Sequence, residues 1–260
     1  MKLQELLQIY NMKISIITVC YNSAATIEET IQSVTAQTYR DIEYIIVDGM
    51  SKDTTVAIIK KHEGEITKWR SEPDNGLYDA MNKGIKMATG DVIGILNSDD
   101  LYQDSDVITG VMNQFNNEPG LDILYGDLVY VKSDNTDKVV RNWKSKDYYS
   151  RFFEHANVPP HPALFVRRKV YEEAGLFDLD YQIAADYEFM LRIFKNHKFN
   201  SKYINRLMVR MRLGGASNAS FASVVKQNKE VLNAWKKNNL KSPFYLMTLR
   251  VLKKSTQFFK

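Results

Sequence analysis

The sequence predicts an α/β fold built on a parallel, doubly wound sheet, and three observations support this prediction. Short apolar segments rich in β-branched residues alternate with segments whose apolar residues recur at helical spacing. Such alternation is typical of a parallel sheet covered by helices. Two of the apolar segments are followed closely by an aspartate, Asp48 and Asp99. Because ligands bind beyond the carboxyl ends of such strands, we expect the two aspartates at one crevice.

The first part of the chain contains the regular alternation. Residues 13–20 are nearly all apolar, as expected of a strand buried on both faces. Residues 26–37 place Ile27, Ile31 and Val34 on one side of a helix. The elements predicted in this part are strands over residues 13–20, 42–47, 68–71 and 91–96, and helices over 26–37, 53–62 and 78–88.

The second half loses this alternation and predicts a mixed arrangement. Strands are predicted over residues 121–131 and 163–167, and helices over 168–174 and 187–196. We therefore expect one α/β domain over residues 12–215 and a helical tail over 216–260. Residues 1–11 precede the first predicted strand and are expected to be a dispensable extension.

The composition is that of a globular protein without an internal disulfide. The chain has 260 residues, of which 44% are hydrophobic and 25% charged, enough for one substantial core. Its apolar runs are far shorter than the ~20 residues of a membrane-spanning helix, and no secretory signal is recognisable. The single cysteine, Cys20, lies within an apolar run and is expected to be a buried small hydrophobic residue. These features predict a cytoplasmic protein.

Residues 221–260 carry most of the positive charge. They contain nine Lys and Arg residues and one acidic residue, Glu230, so their net charge is +8 and that of residues 1–220 is −4. On a helix over 244–259, an apolar side separates from a basic side, which predicts contact with an anionic membrane surface. Packing on the rest of the chain or on a second subunit is the alternative. The apolar side would carry Phe244, Tyr245, Leu249, Val251, Leu252, Phe258 and Phe259, and the basic side Arg250, Lys253, Lys254 and Gln257.

Acidic residues after two predicted strands are candidates for ligand binding. The turn Asn97-Ser98-Asp99-Asp100 offers oxygen ligands of the kind that Mg²⁺ and Mn²⁺ prefer, with water and substrate phosphates completing the shell. The alternative is a turn in which these side chains only accept backbone N–H groups. Asp48 can accept a hydrogen bond from a ligand, whereas Ser51 and Asp53 are more simply helix caps.

Two further segments carry polar groups on short helices. Residues 72–84 combine a tight turn with a helix that bears Asp79, Asn82 and Lys83, more polar groups than capping requires. In residues 183–192, Asp186 is either a helix N-cap or a general base that accepts a proton from a hydroxyl group.

Five segments in this order and spacing resemble glycosyltransferase family two, the GT-A group of inverting transferases, and in particular bacterial enzymes of O-antigen, capsule and exopolysaccharide synthesis. The segments are SIITVCYN, VDGMSKDTT, PDNGLYDAMNKG, ATGDVIGILNSDD and AADYEFMLR. The resemblance covers about residues 12–215. It implies a GT-A fold, in which a Rossmann-like, mostly parallel sheet binds a nucleotide-sugar donor and a mixed second half supplies the acceptor side.

The resemblance also assigns roles to single residues on the donor side. Thr18 and Tyr21 would lie beside the nucleotide base, and Asp48 would contact uracil or ribose. Asp99 matches the family's metal-ligating aspartate, with Asp100 beside it as a second candidate ligand of Mn²⁺ or Mg²⁺.

The remaining roles concern the reaction centre and two departures from the family pattern. Asp186 matches the catalytic base. Asn97 stands where many members have Asp, so its amide would bind ribose or water, and Met81 stands where many have Arg, a charge that Lys83 could supply. His161 resembles an acceptor-side histidine, with a purely structural histidine as the alternative. The predicted donor-binding residues are therefore Thr18, Tyr21, Asp48, Lys83, Asn97, Ser98, Asp99 and His161.

The implied reaction is one in-line displacement per encounter, because the Gln-x-x-Arg-Trp signature of processive relatives is absent. Asp186 would deprotonate an acceptor hydroxyl, which attacks the anomeric carbon while the metal stabilises the departing nucleoside diphosphate. The donor is expected to be a UDP-sugar. The acceptor is expected to be a glycan or a polyprenyl-linked sugar of bacterial surface polysaccharide synthesis, at the inner face of the cell membrane, and a homodimer is allowed.

Rival functions lack their signatures. A nucleotide-cofactor oxidoreductase requires Gly-x-Gly-x-x-Gly after the first strand, where this chain has residues 20–25 without a glycine. A P-loop is also absent, and no nucleic-acid partner is expected because the body is acidic and has no reader motif. A non-catalytic binding or scaffold protein that keeps the fold is the alternative that the sequence leaves open.

Overall fold

A computed structural model describes residues 12–214 and 221–256. The expectations for residues 1–11, for the side chain of Lys254 and for residues 257–259 lie outside the described parts. The regular alternation is confirmed between residues 14 and 95. Its elements are β1 Ile14–Cys20, α1 Ile27–Thr35, β2 Ile42–Asp48, α2 Thr55–Lys61, β3 Lys68–Ser71, α3 Leu77–Met87 and β4 Val92–Ile95.

The second half is mixed, as expected, but contains elements that the sequence did not predict, over residues 100–102, 107–117, 135–143 and 201–212. The helix expected over 187–196 begins earlier and ends in a π-helical turn, Arg192–Asn196. The elements are β5 Asp100–Tyr102, α4 Val107–Asn117, β6 Ile123–Lys132, β7 Asn135–Trp143, β8 Leu164–Arg167, α5 Arg168–Ala174, α6 Ala185–Leu191, β9 Ser201–Arg212, α7 Phe221–Lys237 and α8 Leu246–Thr256.

One sheet contains all nine strands of the described residues. Its order is β3-β2-β1-β4-β8-β6-β9-β5, with β7 added on β6. Strands β3, β2, β1 and β4 are mutually parallel. The pairs β4–β8, β8–β6 and β9–β5 are antiparallel, whereas β6–β9 is parallel. The parallel half therefore aligns the carboxyl ends of β1, β2 and β4 at one edge.

Alternate residues of the strands enter two separate hydrophobic cores. Ile17 and Val47 pack on the side of α3 and the C-terminal helices. Ile16 and Ile46 pack on the side of α1, α2 and α4. The sheet is therefore buried on both faces, which explains why its parallel strands are nearly continuous apolar runs.

The C-terminal helices pack against the α/β body. Val231, Trp235 and Leu246 are buried in the core on the α3 side, and Trp235 Nε1 donates a hydrogen bond to the Tyr187 hydroxyl at 2.8 Å. No helix within residues 12–214 and 221–256 is long and apolar enough to cross a bilayer.

Candidate functional site

A cleft of about 1340 Å³ lies beyond the carboxyl ends of β1 and β4. The segment after β1 forms one wall and the turn after β4 forms the floor. The start of α3 and the start of α6 lie across from them. Six residues that the sequence predicted for the site line this cleft: Tyr21, Asn97, Ser98, Asp99, His161 and Asp186.

The turn after β4 is held together by its own polar groups. Asn97 Nδ2 donates to Asp100 Oδ2 at 3.1 Å, and the Asp100 N–H donates to the Asn97 carbonyl at 3.1 Å. The hydroxyl groups of Ser98 and Ser23 are hydrogen-bonded to each other at 2.8 Å, which ties the turn to the segment after β1. Asp100 is fully buried, so it is Asp99 that presents its side chain to the cleft.

Burial sets the electrostatics of the two aspartates. It raises the pKa of Asp99, and it raises the pKa of Asp100 well above the usual range, where the neighbouring Asp99 carboxylate adds to the effect. Arg212 opposes both shifts. Its guanidinium donates to the Asp99 carbonyl at 2.8 Å and to Glu29 Oε2 at 2.5 Å.

The turn after β4 can bind a divalent cation that takes most of its ligands from substrate phosphate and water. Asn97 Oδ1 and Asp100 Oδ1 are buried without a hydrogen-bond partner in the described parts of the chain, and such orphaned oxygens are costly unless a cation or water satisfies them. Residues 12–214 and 221–256 contain no cluster of three or more His, Cys, Asp or Glu residues of metal-binding geometry. The protein would therefore contribute Asp99, and the orphaned Oδ1 makes the Asn97 amide a second candidate ligand, in place of the ribose or water contact expected from the sequence; phosphate and water would complete the shell.

Asp186 is positioned by groups from two other elements. It lies in the first turn of α6, and the Tyr78 hydroxyl of α3 donates to its Oδ1 at 3.1 Å and to the Ile183 carbonyl at 2.8 Å. The carboxylate of Glu230 in α7 accepts N–H groups of residues 182, 183 and 184, two of them at 2.9 Å. The segment leading into Asp186 is thus tied to α7.

Tyr78 and His161 are both buried near Asp186. Burial raises the pKa of the Tyr78 hydroxyl well above its usual value, and the charge of Asp186 adds to the effect. His161 makes an edge-on contact with the ring of Phe177, with 5.5 Å between ring centroids. Burial lowers the pKa of His161 although the Asp186 charge opposes it, so the imidazole is expected to be neutral near pH 7.

Three predicted donor-binding residues, together with the second candidate metal ligand, do not line the cleft. Thr18 is fully buried and accepts a hydrogen bond from the Tyr44 hydroxyl at 3.2 Å. Asp48 is also fully buried. It accepts hydrogen bonds from the Ser51 N–H at 3.0 Å and from the Ser71 hydroxyl at 2.6 Å. These contacts shape the segment after β2, and the predicted contacts of Thr18 and Asp48 with a nucleotide stay predictions.

Lys83 and Asp100 point away from the cleft for different reasons. Lys83 donates to the Pro73 carbonyl at 2.6 Å and lies 3.4 and 3.5 Å from carboxylate oxygens of Glu72 and Asp79. It therefore stabilises the turn before α3. Asp100 begins β5, and its side chain is enclosed beneath the turn.

One local prediction is confirmed beside the cleft and another is wrong. The N-cap of α2 is Thr54, not Ser51 or Asp53. Asp53 Oδ1 accepts the Thr55 N–H at 2.9 Å from just before the helix, and its other oxygen accepts the Ala24 N–H at 3.1 Å. Cys20 is buried, and burial together with the nearby Asp48 raises its pKa, so the thiol stays protonated.

Several cleft residues were not predicted from the sequence. They come from the β6–β7 hairpin, from the segment that follows it, and from α8. The charge excess of the C-terminal segment was visible in the sequence, but the fold-back that brings α8 to the cleft was not. These residues are Tyr130, Arg141, Trp143, Lys144, Lys146, Arg250 and Lys253.

Comparison with known proteins places this architecture among transferases. A family model described as Glycosyl transferase family 2 matches residues 15–175, a range that ends before Asp186. An uncharacterized glycosyltransferase of Mycobacterium tuberculosis is 35% identical over 184 residues, which cover 69% of this chain and 68% of the relative. A PGL/p-HBAD biosynthesis glycosyltransferase of Mycobacterium bovis is 31% identical over 208 residues, 78% of each chain.

Two solved structures share the fold at low sequence identity. S. aureus TarS 1-349 in complex with UDP superposes with a TM-score of 0.61 and 17% identity, over 85% of this chain and 66% of that chain. The mannosyltransferase PcManGT from Pyrobaculum calidifontis, in complex with GDP-Man and Mn²⁺, gives a TM-score of 0.65 and 17% identity, over 94% of this chain and 69% of that chain. The likeness confirms the expected GT-A fold.

Proposed function

Because the chain belongs to glycosyl transferase family 2 and is a glycosyltransferase, we propose that its cleft moves one sugar from a nucleotide-sugar to an acceptor hydroxyl with inversion at the anomeric carbon. The observation that carries the proposal is the arrangement of two carboxylates. Asp99 lies on the floor of the cleft and Asp186 at the start of α6, and both line the same cavity. Inverting transfer requires one group at the leaving diphosphate and another at the attacking hydroxyl.

On the donor side, the nucleotide is proposed to bind against the segment after β1. Tyr21 is 57% exposed at the cleft, so its ring is available to a base. The bound UDP of TarS and the GDP-Man and Mn²⁺ of PcManGT support a nucleotide-sugar with a divalent metal. Asp99 and Asn97 would hold that metal, and when bound it would neutralise charge on the leaving diphosphate. A UDP-sugar is the donor that we propose.

On the acceptor side, Asp186 is proposed to act as general base. The acceptor oxygen bonds to the anomeric carbon as the bond from that carbon to the diphosphate oxygen breaks, and the hydroxyl proton passes to Asp186. Tyr78 holds one carboxylate oxygen by a hydrogen bond of 3.1 Å, and no residue within 12–214 and 221–256 bonds the other, which can face the hydroxyl. The neutral imidazole of His161 can donate one hydrogen bond to the acceptor or to the diphosphate.

The acceptor is proposed to be a glycan or a lipid-linked sugar of bacterial surface polysaccharide synthesis, handled at the inner face of the membrane. The exposed side of α8 supports contact with a lipid surface. Phe244, just before it, is 98% exposed, and Val251 and Leu252 are 64% and 54% exposed, whereas Arg250 and Lys253 face the body. Arg250 and Lys253, which the sequence analysis expected on the membrane-facing basic side, are thus turned toward the cleft, and membrane contact stays a prediction. A homodimer also stays a prediction.

A donor screen tests the proposed function. Release of nucleoside diphosphate from UDP-, GDP- and TDP-sugars would be measured with Mn²⁺, with and without glycan and lipid-linked acceptors. Acceptor-dependent release from at least one donor is expected, and the Asp186→Asn variant should bind the same donor without transferring. No release from any donor, together with unchanged cellular function of Asp99→Ala and Asp186→Asn variants, would favour the scaffold alternative.

A further inference from the structure

One end of the cleft is lined by positive charge that the proposed transfer reaction does not use. Five cationic side chains line the cleft, and they come from the hairpin region and from α8: Arg141, Lys144, Lys146, Arg250 and Lys253. Of the acidic residues that line it, Asp74 and Asp99 belong to the donor side, where the side chains of Asp74 and Tyr21 both lie close to Gly49. Within the described residues this leaves Asp186 as the acid that faces the cationic end.

Contacts hold the α8 cations in place at the rim. The Arg250 guanidinium lies 5.3 Å from the centre of the Tyr187 ring, next to Asp186 in the chain. Lys253 Nζ donates a hydrogen bond to Asn157 Oδ1. In the turn of residues 150–156, Arg151 Nη2 donates to the Tyr245 hydroxyl at 2.9 Å, which fixes the start of α8 on the body. The two side chains are therefore presented by a docked helix.

Three of these cations are not held in ion pairs. In the described parts of the chain, no ion pair within 4.0 Å involves Lys144, Lys146 or Arg250, and Arg250 Nε is buried without a hydrogen-bond partner. Burial lowers the pKa of Arg250, and the charge of Asp186 opposes this shift. Burial lowers the pKa of Lys253, and the nearby Lys146 lowers it further. Like charges that crowd a partly buried surface are unfavourable unless an anion joins them.

Arg141 stands apart from the other four cations. Its guanidinium lies 3.8 Å from the centre of the Tyr130 ring. Burial raises the pKa of Tyr130, the Arg141 charge opposes this shift, and the charges of Asp100 and Asp186 add to it. Arg141 is therefore near both the donor turn and the base, and it can serve either substrate. The group that belongs to the acceptor side consists of Arg250, Lys253 and Lys146, with Lys144 at the edge; we call it the α8 cationic subsite.

We propose that the α8 cationic subsite binds a phosphate or diphosphate group of the acceptor and so presents the acceptor hydroxyl to Asp186. This proposal rests on the proposed function, because it names the acceptor class of the same site. The planar guanidinium of Arg250 and the ammonium groups of the lysines come from α8 and from the segment after β7. Together they suit an anion with several oxygens and more than one charge. The phosphate belongs either to a lipid-linked diphosphate or to a phosphorylated glycan.

Binding experiments with UDP and Mn²⁺ already saturating test the proposal, since the donor site is then filled. Geranyl diphosphate represents a lipid-linked acceptor, and glucose 1-phosphate represents a phosphorylated sugar. Titration calorimetry would compare the wild-type chain with an Arg250→Gln/Lys253→Gln variant. The control is Lys236→Gln/Lys241→Gln, which removes two exposed cations of the same C-terminal segment that do not line the cleft.

We expect the wild-type chain to bind at least one probe, and the Arg250→Gln/Lys253→Gln variant to bind it at least about tenfold more weakly. UDP affinity should stay within about twofold in both variants. Tighter binding of geranyl diphosphate than of glucose 1-phosphate would identify a lipid-linked acceptor, and the reverse a phosphorylated glycan.

Three outcomes would overturn the proposal. The first is that the Arg250→Gln/Lys253→Gln variant binds the probe as tightly as the wild-type chain does. The second is that this variant loses UDP affinity as much as probe affinity, which would show that these cations bind the donor. The third is a wild-type chain that binds UDP with Mn²⁺ but neither probe; this rejects the subsite and leaves the proposed transfer intact. A chain that binds no nucleotide at all would instead reject the proposed function itself, and the subsite with it.

Discussion

Asp186 is held in place by its neighbours in a way that suits a base. The Tyr78 hydroxyl reaches one carboxylate oxygen, and Glu230 occupies the backbone N–H groups that precede the helix. The residue also lies in the first turn of α6, so its backbone is fixed by the helix. A carboxylate fixed at one oxygen and open at the other can receive a proton without moving.

An Asp186→Asn substitution should therefore abolish transfer while leaving the donor site intact. The amide keeps the shape and can still accept the hydrogen bond from Tyr78, but it cannot take a proton. We expect kcat to fall by about 10²–10⁴, with UDP affinity in Mn²⁺ unchanged by calorimetry. Transfer at the wild-type rate would remove Asp186 as the base.

At the floor of the cleft, an Asp99→Asn substitution should weaken UDP binding in Mn²⁺ by about tenfold or more. The amide oxygen is a weaker ligand of a hard cation than a carboxylate. Without metal, wild type and variant should bind UDP alike, so the loss is read from the Mn²⁺ dependence of the affinity. Asp134→Asn, an exposed aspartate outside the cleft, is the matched control. Equal Mn²⁺ dependence in both variants would argue against Asp99 as a ligand.

The sequence identified the residues that local order fixes and missed those that depend on distant contacts. Asp99 follows a strand end, so spacing puts it at the edge of the sheet, whereas Asp186 was assigned to the site by the resemblance of residues 183–192 to the family. The Thr18 hydroxyl is buried, where it accepts a hydrogen bond from Tyr44 of the neighbouring strand. The spacing of residues in the sequence does not reveal that this side chain faces a strand and not the cleft. Arg250 reaches the cleft through a docking between residues far apart in the chain, which no local pattern encodes.

At the scale of elements, α7 is part of the site rather than a distant support. Its Glu230 is the single acid among residues 221–260, and it holds three consecutive backbone N–H groups ahead of Asp186. Three such bonds to one carboxylate fix the entry into α6. The helix that supplies them lies outside residues 15–175, the range of the family match.

A Glu230→Gln substitution should lower kcat about tenfold without changing UDP affinity. Glutamine keeps the shape but replaces charge-assisted hydrogen bonds by neutral ones, at a cost of about 1 kcal/mol or more, and each ~1.4 kcal/mol in barrier height is a factor of ten in rate. The measurement is a kcat and KM pair for donor and acceptor, with Glu172→Gln, an exposed glutamate paired to Arg168, as the control. A fall in UDP affinity as large as the fall in kcat would contradict a role confined to Asp186.

Two of the unpredicted elements, β7 and β9, have sequence patterns rich in polar residues, whereas α4 buries an apolar face at helical spacing that the sequence analysis missed. β7, Asn135–Trp143, is largely exposed, and its polar sequence is typical of a loop. β9, Ser201–Arg212, carries Arg206, Arg210 and Arg212, whose charges pair with Asp104, Asp137 and Glu29 from other parts of the chain. Long-range ion pairs make these arginines compatible with a strand, and a periodicity of apolar residues cannot reveal such pairing.

For the molecule as a whole, the exposed apolar side around α8 predicts how the enzyme meets a lipid surface. A Phe244→Ser/Val251→Ser variant should pellet with vesicles of anionic phospholipid markedly less than wild type, because it removes two exposed apolar side chains from the contact face. Its UDP affinity should be unchanged. Full pelleting of this variant, and of a chain that lacks residues 244–260, would place any membrane contact elsewhere.

A buried carboxylate in the parallel half of the sheet contributes to the stability of the whole molecule. Glu43 in β2 accepts hydrogen bonds from the Ser15 hydroxyl of β1 at 2.6 Å, from Lys68 of β3 at 2.7 Å, and from the N–H of Thr89, just before β4, at 2.7 Å. Burial alone would raise the pKa of Glu43, but the hydrogen bonds from Lys68, Ser15 and Thr89 outweigh burial and lower it to about 2.

The pH dependence of unfolding should report this carboxylate. Because the pKa of Glu43 is lower in the folded state than the ~4.3 of an unfolded chain, its contribution is complete above about pH 5 and is lost as the pH falls toward 2. A shift of this size corresponds to roughly 3 kcal/mol of unfolding free energy. Glu43→Gln should therefore lower Tm at pH 7, and its difference from wild type should shrink steadily between about pH 5 and 3. A difference that keeps its full size across that interval would show that the substitution acts through packing and not through the charge of Glu43.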